Sequence, residues 1–225
     1  MHVLPADRLD LTQTLDRCPL CLSPQLEPYW QDAARSYLRC AGCELVVVPP
    51  RFHLSLSEER AVYDLHENGP DDAGYRKFLG RLTAPLIARL KPGAQGLDFG
   101  SGPGPTLSLM MSEAGYPSAI YDPIYAPDTS ALEARYDLIS ATEVVEHLRT
   151  PKQDLDRLFA MLRPGGTLAI MTKLVLNRER FSTWHYKNDP THISFFSAQT
   201  LRWLADSWDA KLEQLAADIL FITRP

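Results

Sequence analysis

Gly96-Leu97-Asp98-Phe99-Gly100-Ser101-Gly102-Pro103-Gly104 is the stretch that decides the fold. It begins as a short apolar strand and then breaks into alternating glycines, spaced D-x-G-x-G-x-G rather than G-x-G-x-x-G. Such glycines let the backbone turn tightly and approach a ligand closely, because no Cβ stands in the way. Leu107, Leu109, Met110 and Met111 follow on what reads as a helix. A strand, a glycine turn and a helix N-terminus together make a site for a nucleotide-like ligand. A plain tight turn is the alternative reading of the same glycines.

Toward the C-terminus, Ala119-Ile120-Tyr121 reads as a second short strand closed by Asp122. An acid about 20 residues beyond a glycine loop is placed to accept hydrogen bonds from ribose hydroxyls. A third strand covers Tyr136 to Ser140, followed by Glu143-Val144-Val145-Glu146-His147-Leu148. A helix around Leu155 to Leu162 stops at Arg163-Pro164-Gly165-Gly166, and Thr167 to Met171 is a buried strand. Ser197 starts a helix through Leu201, Trp203 and Leu204, and two final strands cover Lys211 to Leu215 and Ile219 to Ile222. Toward the N-terminus, Tyr75, Phe78, Leu79, Leu82, Leu86, Ile87 and Leu90 recur at helical spacing. An earlier helix starts with Ser55 or Ser57 as N-cap and acids in its first turn. Tyr63, His66 and Tyr75 could line a ligand, although packing is the commoner role for each.

The pieces LDFGSGPG, YDP, YDLISATEVVEHL and LRPGGTLAI, in this order and spacing, resemble class I S-adenosylmethionine-dependent methyltransferases over about residues 55 to 225. The chain looks closest to the group that includes the quinone-biosynthesis methyltransferases, in which E-x-x-E-H is frequent. The stretch from Trp184 to Phe196 is similar to that group as well, and some bacterial members carry a cysteine ribbon in front. The resemblance implies a doubly wound α/β fold with a seven-stranded, mostly parallel sheet ending in an antiparallel hairpin. It implies that Asp98, Gly100, Ser101, Gly102, Gly104 and Thr142 hold S-adenosylmethionine, with Asp122 on its ribose. One departure stands out. Only Pro123 to Arg135 separates the ribose acid from the next strand, too short for the helix and strand usual there, so a trimmed sheet edge is expected.

Methyl transfer is an in-line displacement, so the enzyme mainly holds the two reactants together, and a base removes a proton where one must leave. Glu143, Glu146 and His147 are spaced i, i+3, i+4 and would share one face of a helix. His147 is a candidate general base. Alternatively the three bind Mg²⁺ or a similar ion, as the resemblance implies for some relatives, or the turn merely caps and packs. A second cluster holds His185, Tyr186, Asp189 and His192. Tyr186 and His192 read as acceptor contacts, and Phe195 and Phe196 as scaffold.

All four cysteines fall in Cys18-Pro19-Leu20-Cys21 and Cys40-Ala41-Gly42-Cys43, the C-x2-C-x18-C-x2-C spacing of a zinc site. With Cys18, Cys21, Cys40 and Cys43 as ligands no position stays open, so the zinc would be structural. Two disulfides, or unrelated thiols, are the alternatives. At 225 residues the chain can hold a ribbon over 1–50 and a cofactor-binding domain over 51–225. The net charge of -5 disfavours a nucleic-acid backbone as partner. No apolar run is long enough to span a bilayer. The N-terminus shows neither a basic n-region nor an apolar h-region, so a cytoplasmic, reducing location is expected. The resulting expectation is methyl transfer to a small-molecule acceptor. Two rivals remain open: a non-catalytic binding protein with a degenerate fold of this kind, and an RNA or protein methyltransferase. The ribbon also offers a surface for a protein partner.

Overall fold

The computed structural model describes residues 15–65 and 69–225. The N-terminal segment read for a leader, and His66, lie outside the described residues. Strands β1 (Leu26–Gln31), β2 (Ser36–Cys40) and β3 (Val46–Val47) pair antiparallel beside the cysteines. Helix α1 (Leu56–Tyr63) opens on Ser55, whose side chain and that of Glu58 cap each other's backbone. Helix α2 (Ala73–Ile87) is capped by Asp72. The alternating unit follows: β4 (Gly96–Phe99), α3 (Thr106–Glu113), β5 (Ser118–Tyr121), β6 (Tyr136–Thr142), α4 (Pro151–Met161), β7 (Leu162–Met171). A long excursion holds α5 (Arg178–Ser182) and β8 (Ser194–Phe195), and α6 (Ala198–Ser207), β9 (Lys211–Ala216) and β10 (Ile219–Thr223) close the chain.

The main sheet runs β5-β4-β6-β7-β10-β9. Its first four strands are parallel neighbours, and β10 pairs antiparallel with both β7 and β9. Parallel strands covered on both faces carry apolar residues pointing both ways. Ile139, Leu168, Ile170, Leu220 and Ile222 therefore pack with α4 and α6. Leu138, Ala169, Met171, Ile219 and Phe221 pack with α2 and α3 on the other face.

Two expectations are corrected, and the trimmed edge is met: the described residues form a six-stranded main sheet, one strand short of the seven that the resemblance implies. Where the seventh would stand, the chain makes a turn bridged from Asp122 to Ala126 and a short 3-10 segment over Thr129–Leu132. Pro123 and Pro127 and the short length leave no room for a strand there. Glu143, Glu146 and His147 do not lie on a regular helix; Glu143 has φ of 52° and a single 3-10 turn covers Val145–His147. Finally, Arg163 to Gly166 does not form a break before a strand, because β7 already begins at Leu162.

The cysteine ribbon is built into the rest of the molecule. Its sheet continues through β3 onto β8, pairing Val46 with Phe195 and Val47 with Ser194. Cys18, Leu20, Cys40, Cys43, Leu45 and Val47 belong to the same apolar cluster as Leu155, Phe196 and Leu201. No helix of the described residues is long and apolar enough to cross a membrane.

Candidate functional site

The glycine loop leaves the end of β4 with Gly100 and Gly102 both in the left-handed region, at φ of 72° and 65°. The two need glycine for different reasons. A Cβ on Gly100 would meet Val144 Cγ2 at 2.4 Å, whereas a Cβ on Gly102 would meet nothing within 4 Å. The loop is tied down by Asp122, which accepts from the backbone N–H of Gly102 at 3.0 Å and from those of Ile124 and Tyr125 at 2.8 and 2.9 Å. A carboxylate offers about four acceptor positions, so one remains for a ligand hydroxyl. At Gly104 the carbonyl accepts from Thr106 N–H at the start of α3. Among the described residues, three buried side-chain polar atoms have no hydrogen-bond partner: Trp30 Nε1, Ser101 Oγ and Thr142 Oγ1. Two of these follow or end the adjacent parallel strands β4 and β6, at their C-terminal ends, where open α/β sheets bind ligands.

Asp98 is buried and bound to its surroundings. Ser140 Oγ donates to its Oδ1 at 3.0 Å. Burial nevertheless pushes its carboxyl up to about 7 from 3.8. The folded state therefore favours the protonated acid, and this contribution to stability is fully present below about pH 3.8 and is lost as pH rises through about 7. The separation corresponds to at most about 4 kcal/mol. Asp98→Asn should thus flatten the loss of stability between pH 4 and 8 in ligand-free protein, as urea denaturation across that range would measure. Parallel profiles for variant and parent would refute this account of Asp98.

The turn after β6 meets the excursion after β7. Tyr186 hydroxyl contacts Glu146 Oε1, Glu143 Oε2 at 3.1 Å and Thr172 Oγ1 at 3.3 Å. Thr172 Oγ1 also donates to Glu146 Oε2 at 3.1 Å. One phenol proton cannot serve both carboxylates, so one of the two acids must hold a proton of its own. Burial, first of all, pushes Glu143 up to about 8 and Glu146 to about 7, with the Glu146 charge adding to the rise at Glu143.

His147 Nδ1 lies 3.1 Å from the Thr191 carbonyl and 3.2 Å from the Tyr63 hydroxyl. A carbonyl only accepts, so the hydrogen-bond network assigns the proton to Nδ1 and the lone pair to Nε2. The same reasoning applies to His192, whose Nδ1 is 2.7 Å from the Tyr186 carbonyl. Burial and then the neighbouring His147 push His192 down to about 4, leaving it neutral at pH 7. The two rings meet edge to face at 4.7 Å. Glu146, His147 and His192 each place one ligand atom within 4.8 Å of the others. The expected trio of Glu143, Glu146 and His147 is therefore regrouped: Glu143 turns to Tyr186, and His192 joins Glu146 and His147.

The four cysteines also converge. Cys18 and Cys43 sulfurs are 3.5 Å apart, Cys21 and Cys40 sulfurs 3.3 Å, and all four fall within 4.8 Å of one another. A zinc–thiolate tetrahedron with bonds of about 2.3 Å has sulfur–sulfur edges of about 3.8 Å, so this donor set fits that ion. Leu22 and Glu44 directly follow the second cysteine of each pair and take φ of 63° and 62°. The two knuckles thus repeat one backbone turn.

Sequence reasoning named Tyr63 but missed Arg35, Asp32, Lys187, Thr172 and Ser140, which hold these groups in place. Each acts across a large sequence separation, so no local spacing announces it.

Residues 72–215 match a family model described as a methyltransferase domain. No curated protein matches the chain. The fold is similar to that of a Burkholderia thailandensis 1,6-didemethyltoxoflavin N1-methyltransferase, at 18% identity over 88% of this chain and 97% of that one, TM-score 0.49. It is similar to magnesium protoporphyrin IX methyltransferase of Synechocystis PCC 6803, at 15% identity over 75% and 93%, TM-score 0.49. An O-methyltransferase family protein of Burkholderia thailandensis gives 12% identity, TM-score 0.47 and 74% of this chain, which spans 62% of that protein's length.

Proposed function

The chain belongs to the methyltransferase-domain family, and on that premise we propose that it transfers a methyl group from S-adenosylmethionine to a small-molecule acceptor. The observation that carries this reading is the floor of the glycine loop. Gly102 opens onto empty space, and the partnerless hydroxyls of Ser101 and Thr142 lie at the same strand ends. Asp98, Gly100, Gly102 and Gly104 shape the loop for the methionine end of the cofactor, and Asp122 offers its remaining acceptor position to the ribose. The cofactor supplies a methyl group on a sulfonium, ready for in-line displacement.

Tyr186, His192 and the turn from Glu143 to His147 form the acceptor side. Glu143, Glu146 and Tyr186 hold two protons among them in a buried network and orient an acceptor hydroxyl or amine. His192, held near 4, is a weak base at neutral pH. His147 therefore takes the acceptor's proton on Nε2, while the Thr191 carbonyl holds its Nδ1–H. A second reading is favoured by the clustering of Glu146, His147 and His192: a divalent ion held there orients the acceptor instead. Cys18, Cys21, Cys40 and Cys43 hold a structural zinc.

Calorimetry with S-adenosylhomocysteine tests the cofactor half. The parent should bind. Gly102→Ala should cost about 1–2 kcal/mol of stability from the left-handed backbone alone. Gly102→Val should in addition lose binding, because its branched side chain fills the ligand's space. A Gly102→Val protein that binds like the parent would overturn the assignment.

A further inference from the structure

The hairpin that joins β1 to β2 reaches the excursion carrying Tyr186 and His192. Arg35 at its turn is buried, at 7% exposure. Its guanidinium donates to the carbonyls of Lys187, of Asp189 at 2.6 Å and of Pro190 at 3.2 Å, and its Nε to the Tyr37 hydroxyl at 2.9 Å. Tyr37 hydroxyl lies 3.2 Å from the Lys187 carbonyl as well. From the same turn Asp32 accepts from Lys187 Nζ at 2.7 Å and from the backbone N–H of Ala34 and Arg35 at 3.0 Å each.

A planar guanidinium with fixed donors imposes one shape on the carbonyls that surround it. Here those carbonyls belong to residues 187, 189 and 190, flanked by Tyr186 on one side and His192 on the other. Thr191 carbonyl, in the same segment, receives His147 Nδ1–H. Ile193 then bonds the ribbon and the acidic turn at once: its carbonyl accepts from Val48 and its N–H donates to Glu146, each at 2.9 Å. Tyr29 and Tyr37 of the ribbon pack edge-on against Phe181, and Tyr37 against Phe195.

We propose that the ribbon hairpin is the positioning element of the acceptor site, with Arg35 as the positioning residue that fixes Tyr186, His192 and the Thr191 carbonyl. This rests on the reading of Tyr186 and His192 as acceptor contacts. Arg35 touches neither cofactor nor reacting atoms; it acts through the backbone of residues 187–190. A displacement of about 1 Å in a positioned group can cost 10²-fold in rate, so the ribbon governs acceptor turnover without touching the cofactor loop.

Amide hydrogen exchange on the full-length chain, metal as purified, tests this with Arg35→Met and Arg35→Lys. In Arg35→Met, exchange of residues 185–193 should rise about tenfold or more, because the local opening free energy of that segment falls. Exchange in β4 and β6 should stay as in the parent, and so should S-adenosylhomocysteine affinity. Arg35→Lys, which keeps the charge and part of the donor set, should restore a share of the protection. Unchanged exchange at 185–193 would overturn the proposal, and so would an equal rise in β6, which marks general loosening. If Arg35→Met does not fold, Asp32→Asn takes its place, since it removes the charge that pairs with Lys187 while leaving Arg35; the same segment, and not β6, should respond. A parent protein that binds no S-adenosylhomocysteine would sink the methyl-transfer reading, while the exchange comparison would still decide the clamp.

Discussion

Cys40→Ser should empty the metal site and lower the stability of the whole chain, not of the ribbon alone. A structural zinc of this ligand type contributes about 10–16 kcal/mol of apparent binding free energy, which in small modules is folding free energy. Whole domains are stable by only about 5–15 kcal/mol. A ribbon standing apart over 1–50 would unfold alone and leave much of the larger domain intact. The packing argues otherwise. Cys18, Leu20, Cys40 and Cys43 lie in one cluster with Leu155, Phe196 and Leu201, and β3 is hydrogen-bonded to β8. Unfolding the knuckles therefore exposes the α4 and α6 side of the main sheet and frees the segment that carries His192. Elemental analysis should give one zinc per chain in the parent and none in Cys40→Ser, and urea denaturation should show a midpoint shift in signals from both parts. A metal-free parent with four titratable thiols and an unchanged melting profile would rule out the zinc.

His147→Ala should cut turnover about 10²–10⁴-fold, the usual worth of a positioned general base, while S-adenosylhomocysteine binds as before. The separation is expected because His147 hydrogen-bonds to Tyr63 and Thr191 and packs edge-on to His192, whereas the glycine loop is fixed independently by Asp122. A packing role would instead lower stability, binding and activity together. The assay should begin with phenols, quinols and sugar-like hydroxyls. Chelation then divides the two readings of the cluster. With a divalent ion on Glu146, His147 and His192, EDTA suppresses turnover and Mg²⁺ restores it, and the thiolate-held zinc responds more slowly. With His147 as the proton acceptor and no ion in the cluster, EDTA does little at first. Full turnover in His147→Ala on an accepted substrate would move the chemistry to Tyr186 and His192.

The local sequence by itself determined the alternation of strands and helices, the glycine loop and the cysteine knuckles. These depend on short-range physics: left-handed backbone at Gly100 and Gly102, capping by Ser55 and Asp72, apolar runs for strands buried on both faces. Pro123 and Pro127 in too short a segment likewise foretold the missing edge strand. Only the tertiary structure decided how the acidic turn is used. Helical spacing put Glu143, Glu146 and His147 on one face, but Val144 packs where a Gly100 Cβ would stand, Glu143 takes a left-handed backbone, and the regular helix is lost. Glu143 is thereby turned to Tyr186, and His192 comes beside His147 through contacts more than 40 residues apart in the chain. The tertiary structure likewise decided that the ribbon is joined to the segment from Lys187 to Phe195. Neither Arg35 nor the Lys187, Asp189 and Pro190 carbonyls it binds carry a motif, because a guanidinium recognises backbone oxygens whatever side chains they belong to.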